Sequence, residues 1–203
     1  MVRSINNSMT SAAPDPSEKA ERILEGAMQE FLAHGYAATS MDRVAKTAGV
    51  SKATVYSYFQ DKESLFAALV RRLAQQRFPG IFDRTILQGD PAEVLRHVAT
   101  KALDREKDPE YMAFIRLIVG ESGRFPELAR IFVKNLAKPA IATLTQYLST
   151  HSDYRDPEAI ARILLGSVVY YLMLQELLHG REVVPFEKDR LVDSLVDLIV
   201  EKA

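Results

Sequence analysis

The sequence predicts an all-α fold, and three observations carry that prediction. Apolar residues recur at three-and-four spacing from about residue 17 onward. No period-2 run bounded by hairpin turns interrupts them. Gly and Pro fall at the ends of the periodic stretches, where helices stop and start. The 203 residues, 47% of them hydrophobic, suffice for a sizeable core in one large unit or in a small unit joined to a larger one.

Residues 1–16 carry Ser, Asn, Pro and Ala without periodicity and read as a flexible tail. A first helix is expected from about Ser17 to Ala33, with Ile23, Leu24, Ala27, Met28, Phe31 and Leu32 on one stripe. Gly35 then ends it. Thr39-Ser40-Met41-Asp42 reads as the start of a short helix to Ala48, with Val44 and Ala45 inward. Gly49-Val50-Ser51 forms a tight turn, and Ser51 caps a third helix to Phe59. Gln60-Asp61 breaks the chain again, and Asp61 caps a fourth helix from Lys62 to about residue 78, where Pro79-Gly80 follows. A short segment covers about 81–87. Pro91 opens a helix to about Lys107 and Pro109 one to about Ser122. A further helix spans about 126–149, with Pro139 as a kink. Pro157 opens a long helix to about Leu178, closed by His179-Gly180, and a last helix covers about Glu187 to Glu201.

The balance of charges gives no global sign of a polyanion partner, since the net charge is −1. From Arg43 to Lys62, however, four positive residues stand against one negative. Cysteine is absent, which excludes a disulfide framework and a thiol nucleophile. The opening residues hold no apolar core segment, and no apolar run reaches the ~18 residues a bilayer requires. Ile160 to Leu178 comes nearest and is broken by Arg162, Ser167, Gln175 and Glu176. The expectation is a cytoplasmic protein with no membrane partner. His34, His97, His151 and His179 stand apart, with no metal-ligand spacing and no Gly-rich phosphate loop nearby. No metal, no other cofactor and no catalytic constellation is expected, so the chain is not expected to be an enzyme.

Two short helices around Gly49 form a helix-turn-helix. Val44, Ala45, Val50, Val55 and Phe59 are placed to pack its inner side. Lys52, Ala53, Thr54, Tyr56, Ser57 and Tyr58 lie within two turns of the second helix. Such a helix enters the major groove with its first residues toward base edges. Ala53 permits close approach, Lys52 and Thr54 can donate, and the Tyr hydroxyls suit phosphate oxygens. Thr39 and the amides beside it suit an anion, and Lys62 can hold another phosphate. The same geometry also occurs as plain packing, with Tyr at a core edge, and a helical adaptor that binds only protein would share the fold.

The run Ile23-Leu24-Glu25-Gly26-Ala27, Phe31, His34-Gly35-Tyr36, Thr39-Ser40-Met41, Val44-Ala45, the unbroken stretch 48–59, Lys62-Glu63 and Leu65 resembles the N-terminal DNA-binding domain of the TetR/AcrR family. The resemblance implies that Thr39, Lys52, Thr54, Tyr56, Tyr58 and Lys62 touch double-stranded operator DNA. Residue 53 is often Gly in that family and residue 58 often His, so Ala53 and Tyr58 would tune operator preference. Residues 120–132, from Gly120-Glu121-Ser122-Gly123 to Ile131-Phe132, resemble the C-terminal domain of the AefR-like subgroup. The implied architecture is a helix-turn-helix unit over 17–62 and a larger helical ligand-binding and dimerisation unit over 63–203. The implied function is that of a regulator, in the first instance a repressor, released by a small apolar or amphipathic effector.

Two helices near the C-terminus carry more apolar surface than a small unit needs. Ile160, Ile163, Leu164, Val168, Tyr171 and Leu172 share one stripe, and Leu195 and Leu198 share another. Paired about a two-fold axis they would make the interface of a homodimer, as the resemblance also implies. The alternative is that they face their own core. Aromatic and Met residues, among them Phe82, Tyr111, Phe114, Ile118 with its apolar neighbours, Phe132 and Tyr170, can line an effector pocket or equally serve as core.

Overall fold

The computed structural model describes residues 16–79, 87–151 and 154–200, and among them every regular element is helical. Residues 1–15 of the sequence-predicted tail over 1–16 and residues 81–86 of the short segment over 81–87, Phe82 among them, lie outside the described residues. In chain order the helices are α1 (Pro16–Ala38), α2 (Met41–Thr47), α3 (Lys52–Tyr58), α4 (Lys62–Arg77), α5 (Pro91–Leu103), α6 (Pro109–Glu121), α7 (Pro126–Phe132), α8 (Lys138–Leu148), α9 (Pro157–Leu172) and α10 (Lys188–Val200).

Local chemistry sets most of these limits. Ser40, Ser51, Asp61, Asp90, Asp108 and Asp156 each accept a backbone N–H at a helix start, which satisfies donors the first turn leaves free. At Asp61 the exchange is reciprocal: its carboxylate accepts from the Ser64 N–H while the Ser64 hydroxyl accepts from the Asp61 N–H. Pro91, Pro109 and Pro157 occupy first turns, as the sequence implied.

Three helix ends differ from expectation. α1 continues past Gly35, whose positive φ (75°) bends the axis so that Tyr36 enters the core. The stretch 126–149 is divided by a π-turn at Val133–Ala137. The wider turn falls just before Pro139, which cannot donate its own helical bond and crowds the carbonyl four residues earlier. At the end of α9 a second π-turn, Met173–Leu177, leads to His179 in the left-handed region. Gly180 is required there for space, because a Cβ would stand 2.5 Å from the Leu174 carbonyl oxygen.

Two cores result. The first joins α1–α4 to Phe114, Ile118 and Leu128 of α6 and α7. The second joins α5, α8, α9 and α10 around Leu95, Leu148, Leu164, Val168 and Val196. The N-terminal core therefore does not stop near residue 62. By length and composition alone, Pro157–Leu177 is long and apolar enough to cross a bilayer, contrary to the expectation from its interspersed polar residues. In the structure Leu164, Val168, Tyr171 and Gln175 of that stretch are buried against the rest of the chain.

Gly26 marks the tightest approach between α1 and the helix-turn-helix. A Cβ there would lie 2.9 Å from the Ala48 nitrogen. Gly26→Ala is therefore expected to lower stability by about 1–3 kcal/mol through overpacking. Gly120→Ala on α6 meets nothing within 4 Å and is expected to add about 0.5–1 kcal/mol by helix propensity. Urea unfolding at fixed protein concentration checks the pair, and equal effects of the two changes would contradict the packing described.

Candidate nucleic-acid interface

α3 is seven residues long and amphipathic in the simplest way. Val55 is its one fully buried side chain, and Lys52, Ala53, Tyr56, Ser57 and Tyr58 are exposed. Tyr56 stands 45% exposed and Tyr58 37%. Thr54 is half-buried, and its hydroxyl lies 2.8 Å from the Ser51 hydroxyl within the cap. Ser57 donates to the Thr54 carbonyl at 2.7 Å and keeps its acceptor lone pairs outward. The Lys52 ammonium lies 5.9 Å from the centre of the Tyr56 ring.

The turn before α3 is clamped from behind. Gly49 has φ +64°, and the Nη2 of Arg22 on α1 donates to the carbonyls of Ala48 (2.8 Å) and Gly49 (3.0 Å). α2 is fixed to α1 by Glu30, which accepts from the Thr47 hydroxyl at 2.6 Å and from Arg43 Nε at 2.9 Å. The Thr47 hydrogen bond, and after it the Arg43 hydrogen bond and charge, hold the Glu30 carboxyl below the usual carboxylate range. Neither Arg22 nor Glu30 was singled out by sequence reasoning, since their partners lie 13 to 27 positions away and no short-range pattern connects them.

Two of the sequence-predicted contact residues, Thr39 and Lys62, are engaged within the protein in this structure. Thr39 is 3% exposed, and its hydroxyl faces the Gly35 and Glu30 carbonyls at 2.8 and 3.0 Å. Lys62 donates to the carbonyls of Tyr36 (2.7 Å), Ala37 (3.3 Å) and Thr39 (2.9 Å), and lies 4.3 Å from the Tyr36 ring centre. The last carbonyls of α1 need donors, and these two side chains supply them, so both support the interface from beneath. Burial lowers the Lys62 ammonium pKa and pushes the Tyr36 phenol up to about 12. The local charge balance also changes. Asp42, one residue before the basic window, pairs with Lys52 at 2.8 Å. Lys46 is exposed and makes no ion pair among the described residues, so it stands beside α3 as a cation without an assigned partner there.

Comparison with known proteins meets this geometry at both ends of the chain. Residues 23–69 match the family of bacterial regulatory proteins described as the tetR family. Residues 93–202, more than half of the chain, match the C-terminal domain of AefR-like transcriptional repressors. The chain belongs to the TetR family. Its TetR-family relatives include YvkB of Bacillus subtilis (strain 168), an uncharacterised HTH-type transcriptional regulator. That protein is 26% identical over 188 residues, covering 89% of this chain and 95% of the relative. The repressor AcnR of Corynebacterium glutamicum is 41% identical over 64 residues, 31% of this chain and 34% of its own length. Among solved structures, the flavonoid-responsive regulator FrrA superposes with a TM-score of 0.71 at 31% identity, over 91% of this chain and 96% of that one. The family and these relatives are transcriptional regulators and not enzymes. TetR-family regulators bind operator DNA and are generally repressors.

The remaining sequence-predicted residues of this TetR-family chain separate by burial. Leu164, Val168, Tyr171 and Leu195 are buried in their own core, and the Tyr171 hydroxyl donates to the Phe186 carbonyl at 3.0 Å. These four therefore pack within the chain itself, because a helix stripe that wide has an inner half. Ile160 and Leu172 are half-buried beside them. The outer half is exposed: Ile163 at 55%, Tyr170 at 65% and Leu198 at 57%, with Gly166 between the first two. Tyr170, expected in an effector pocket, stands on that outer face instead and borders an open groove of about 720 Å³ with Ile163, Gly166 and Phe186. Phe114 and Ile118 are buried in the first core, with Phe132 packed on it. Tyr111 is buried at the end of α4, its ring 5.7 Å from that of Phe78.

The depressed Glu30 carboxyl makes a pH prediction. A carboxylate whose folded pKa is lowered adds stability above its unfolded pKa, and that stability is lost as pH falls through the folded value. Glu30→Gln is therefore expected to destabilise near neutral pH, with the difference from the parent protein closing as pH drops below the ordinary value of 4.5. Thermal unfolding across pH checks this, and a penalty constant with pH would contradict it.

Proposed function

We propose that this TetR-family chain acts in the cytoplasm as a homodimeric repressor. In this reading two copies of α3 enter successive major grooves of a two-fold operator, and a small apolar or amphipathic effector releases them. The observation that carries the reading is the exposed row Lys52, Ala53, Tyr56, Ser57 and Tyr58, held outward by a helix whose buried side is Val55 and whose turn is fixed to α1.

Roles follow from reach and chemistry. Ala53 brings the backbone close to base edges and offers a methyl to thymine. Lys52, Lys46 and the hydroxyls of Tyr56 and Tyr58 serve phosphates, while Thr54 and Ser57 set the helix start against the groove. Lys52 must leave Asp42 to do so, or carry that carboxylate toward the phosphates. The exposed row of Ile163, Gly166, Tyr170 and Leu198 suits a second copy, because a palindromic site needs a two-fold reader.

Release is a matter of register. Half-sites sit roughly 34–36 Å apart, one DNA turn, so a shift of a few ångströms in α4 would spoil the fit. α4 is fastened to α1 by Lys62 and to α6 by Arg77, which pairs with Asp108 at 2.7 Å and Glu110 at 2.6 Å. A typical allosteric coupling of about 1–3 kcal/mol would weaken operator binding by about 5- to 150-fold. That FrrA is described as flavonoid-responsive supports a small amphipathic effector.

A gel shift with DNA selected from the chain's own upstream region tests the operator reading. Lys52→Ala and Tyr56→Phe are expected to weaken binding, and Lys52→Ala to flatten the salt slope by about one unit. Asp42→Asn is expected to tighten binding several-fold at low salt. DNA affinity indifferent to all three changes would contradict the interface. Tyr170→Asp is expected to give a monomer by light scattering and to lose operator binding, whereas a dimer that survives it would place the two-fold contact elsewhere.

A further inference from the structure

The outer side of α9 carries a pattern that its own subunit does not explain. Ile163, Gly166, Tyr170 and Met173 are all exposed, while Leu164, Val168 and Tyr171 on the opposite side are buried in the second core. The exposed four follow one another at intervals of three, four and three residues. That is the seam spacing of two helices packed side by side at a shallow angle. No charged residue falls between Ile163 and Gln175. The seam stops at Met173, where the π-turn Met173–Leu177 changes the phase of the helix.

Two members of the seam have complementary shapes. Glycine weakens a helix interior, and a Cβ at Gly166 would meet nothing within 4 Å, so packing within the described subunit does not require a glycine there. One turn later, Tyr170 is 65% exposed and makes no ring contact or hydrogen bond with the described residues. A gap and a projection thus stand four residues apart, both bordering the groove shared with Pro185 and Phe186. A two-fold axis across α9 reverses the partner helix. Centred beside Val168, it sets Tyr170 on the partner's Gly166 and, in the same register, Ile163 on the partner's Met173. Each contact then occurs twice. A parallel pair would set projection on projection and gap on gap. Arg162 precedes the uncharged stretch and Glu176 follows it. Reversal therefore brings opposite signs together, alongside the bonds that each makes to Glu158 and Arg181 in its own chain, where a parallel pair would bring like signs together.

We propose that α9 pairs with α9 of a second copy of this chain in reversed register, with Tyr170 as the knob and Gly166 as the hole at both ends of the contact. The assignment rests on the homodimer reading and deepens it, because it fixes which residues meet and in which direction the helices run.

The chain has no cysteine of its own, so introduced thiols report on the register without background. Under copper-phenanthroline oxidation of the full chain, Ile163→Cys combined with Met173→Cys is expected to form a covalent dimer at least tenfold faster than either change alone. In the reversed register like residues lie about 15 Å apart along the helix axis, whereas a disulfide needs Cα atoms within about 7 Å. Gly166→Tyr and Tyr170→Gly are each expected to raise the dimer Kd at least tenfold in sedimentation equilibrium. The two together exchange knob and hole and are expected to restore the Kd to within about threefold of the parent protein. The register is overturned if the single cysteines cross-link as fast as the pair, if the pair does not cross-link in a protein that sediments as a dimer, or if the exchanged variant dimerises as weakly as the single ones. A parent protein that stays monomeric, whether free or bound to phosphatidylethanolamine–phosphatidylglycerol vesicles, overturns the register and the homodimer reading together.

Discussion

An unbroken set of ring contacts fixes where the DNA-facing helices stand relative to everything else. Phe31 stacks on Tyr36 at 5.6 Å, and both meet the edge of Phe66 on α4, at 5.4 and 5.6 Å. Phe66 in turn lies 5.4 Å from Phe114 on α6, and Tyr36 lies 5.3 Å from Phe125 beyond it. Such pairs add about 0.5–1.5 kcal/mol each beyond the area they bury. They also carry orientation, because rings packed on several sides cannot slide. The bend at Gly35 exists to place Tyr36 in this cluster, and Lys62 and Thr39 close the carbonyls that the bend leaves open.

The consequence is mechanical. A helix-turn-helix resting on α1 alone would move independently of the rest. Here α4, α6 and α7 share its core, so packed rings, and no loose linker, join α1 to α4 and α6. Packed cores switch between discrete arrangements more readily than they deform. The two π-turns, at 133–137 and 173–177, fall where the first core gives way to the second. Such turns recur at sites where helices adjust.

Most of the fold was legible because helix signals are local. Caps at Ser51 and Asp61, Pro in first turns and the three-and-four stripes all act within a few residues. The inner side of the helix-turn-helix was legible for the same reason, through Val44, Val55 and the turn at Gly49. Positions whose setting local spacing does not reveal share one cause: their surroundings come from distant segments. Thr39 and Lys62 match a DNA-contact pattern by spacing, yet the open end of α1 claims both. Leu164 and Ile163 are neighbours on one apolar stripe, and only the position of α5, α8 and α10 decides which faces inward. Asp42 stands one residue before the basic stretch 43–62 and pairs with Lys52, so the surface is less basic than that stretch alone implies. Arg22 and Glu30 carried no signal at all, because a clamp from another helix leaves no mark on local spacing.

The central claim is that two α3 helices, kept outward by this packing, lie in successive major grooves on one side of the DNA. Hydroxyl-radical footprinting of the bound operator measures that placement without recourse to variants. The account predicts two protected tracts on one face of the duplex, their centres about one helical turn, roughly 34–36 Å, apart. A single tract, or protection spread evenly around the duplex, would contradict it.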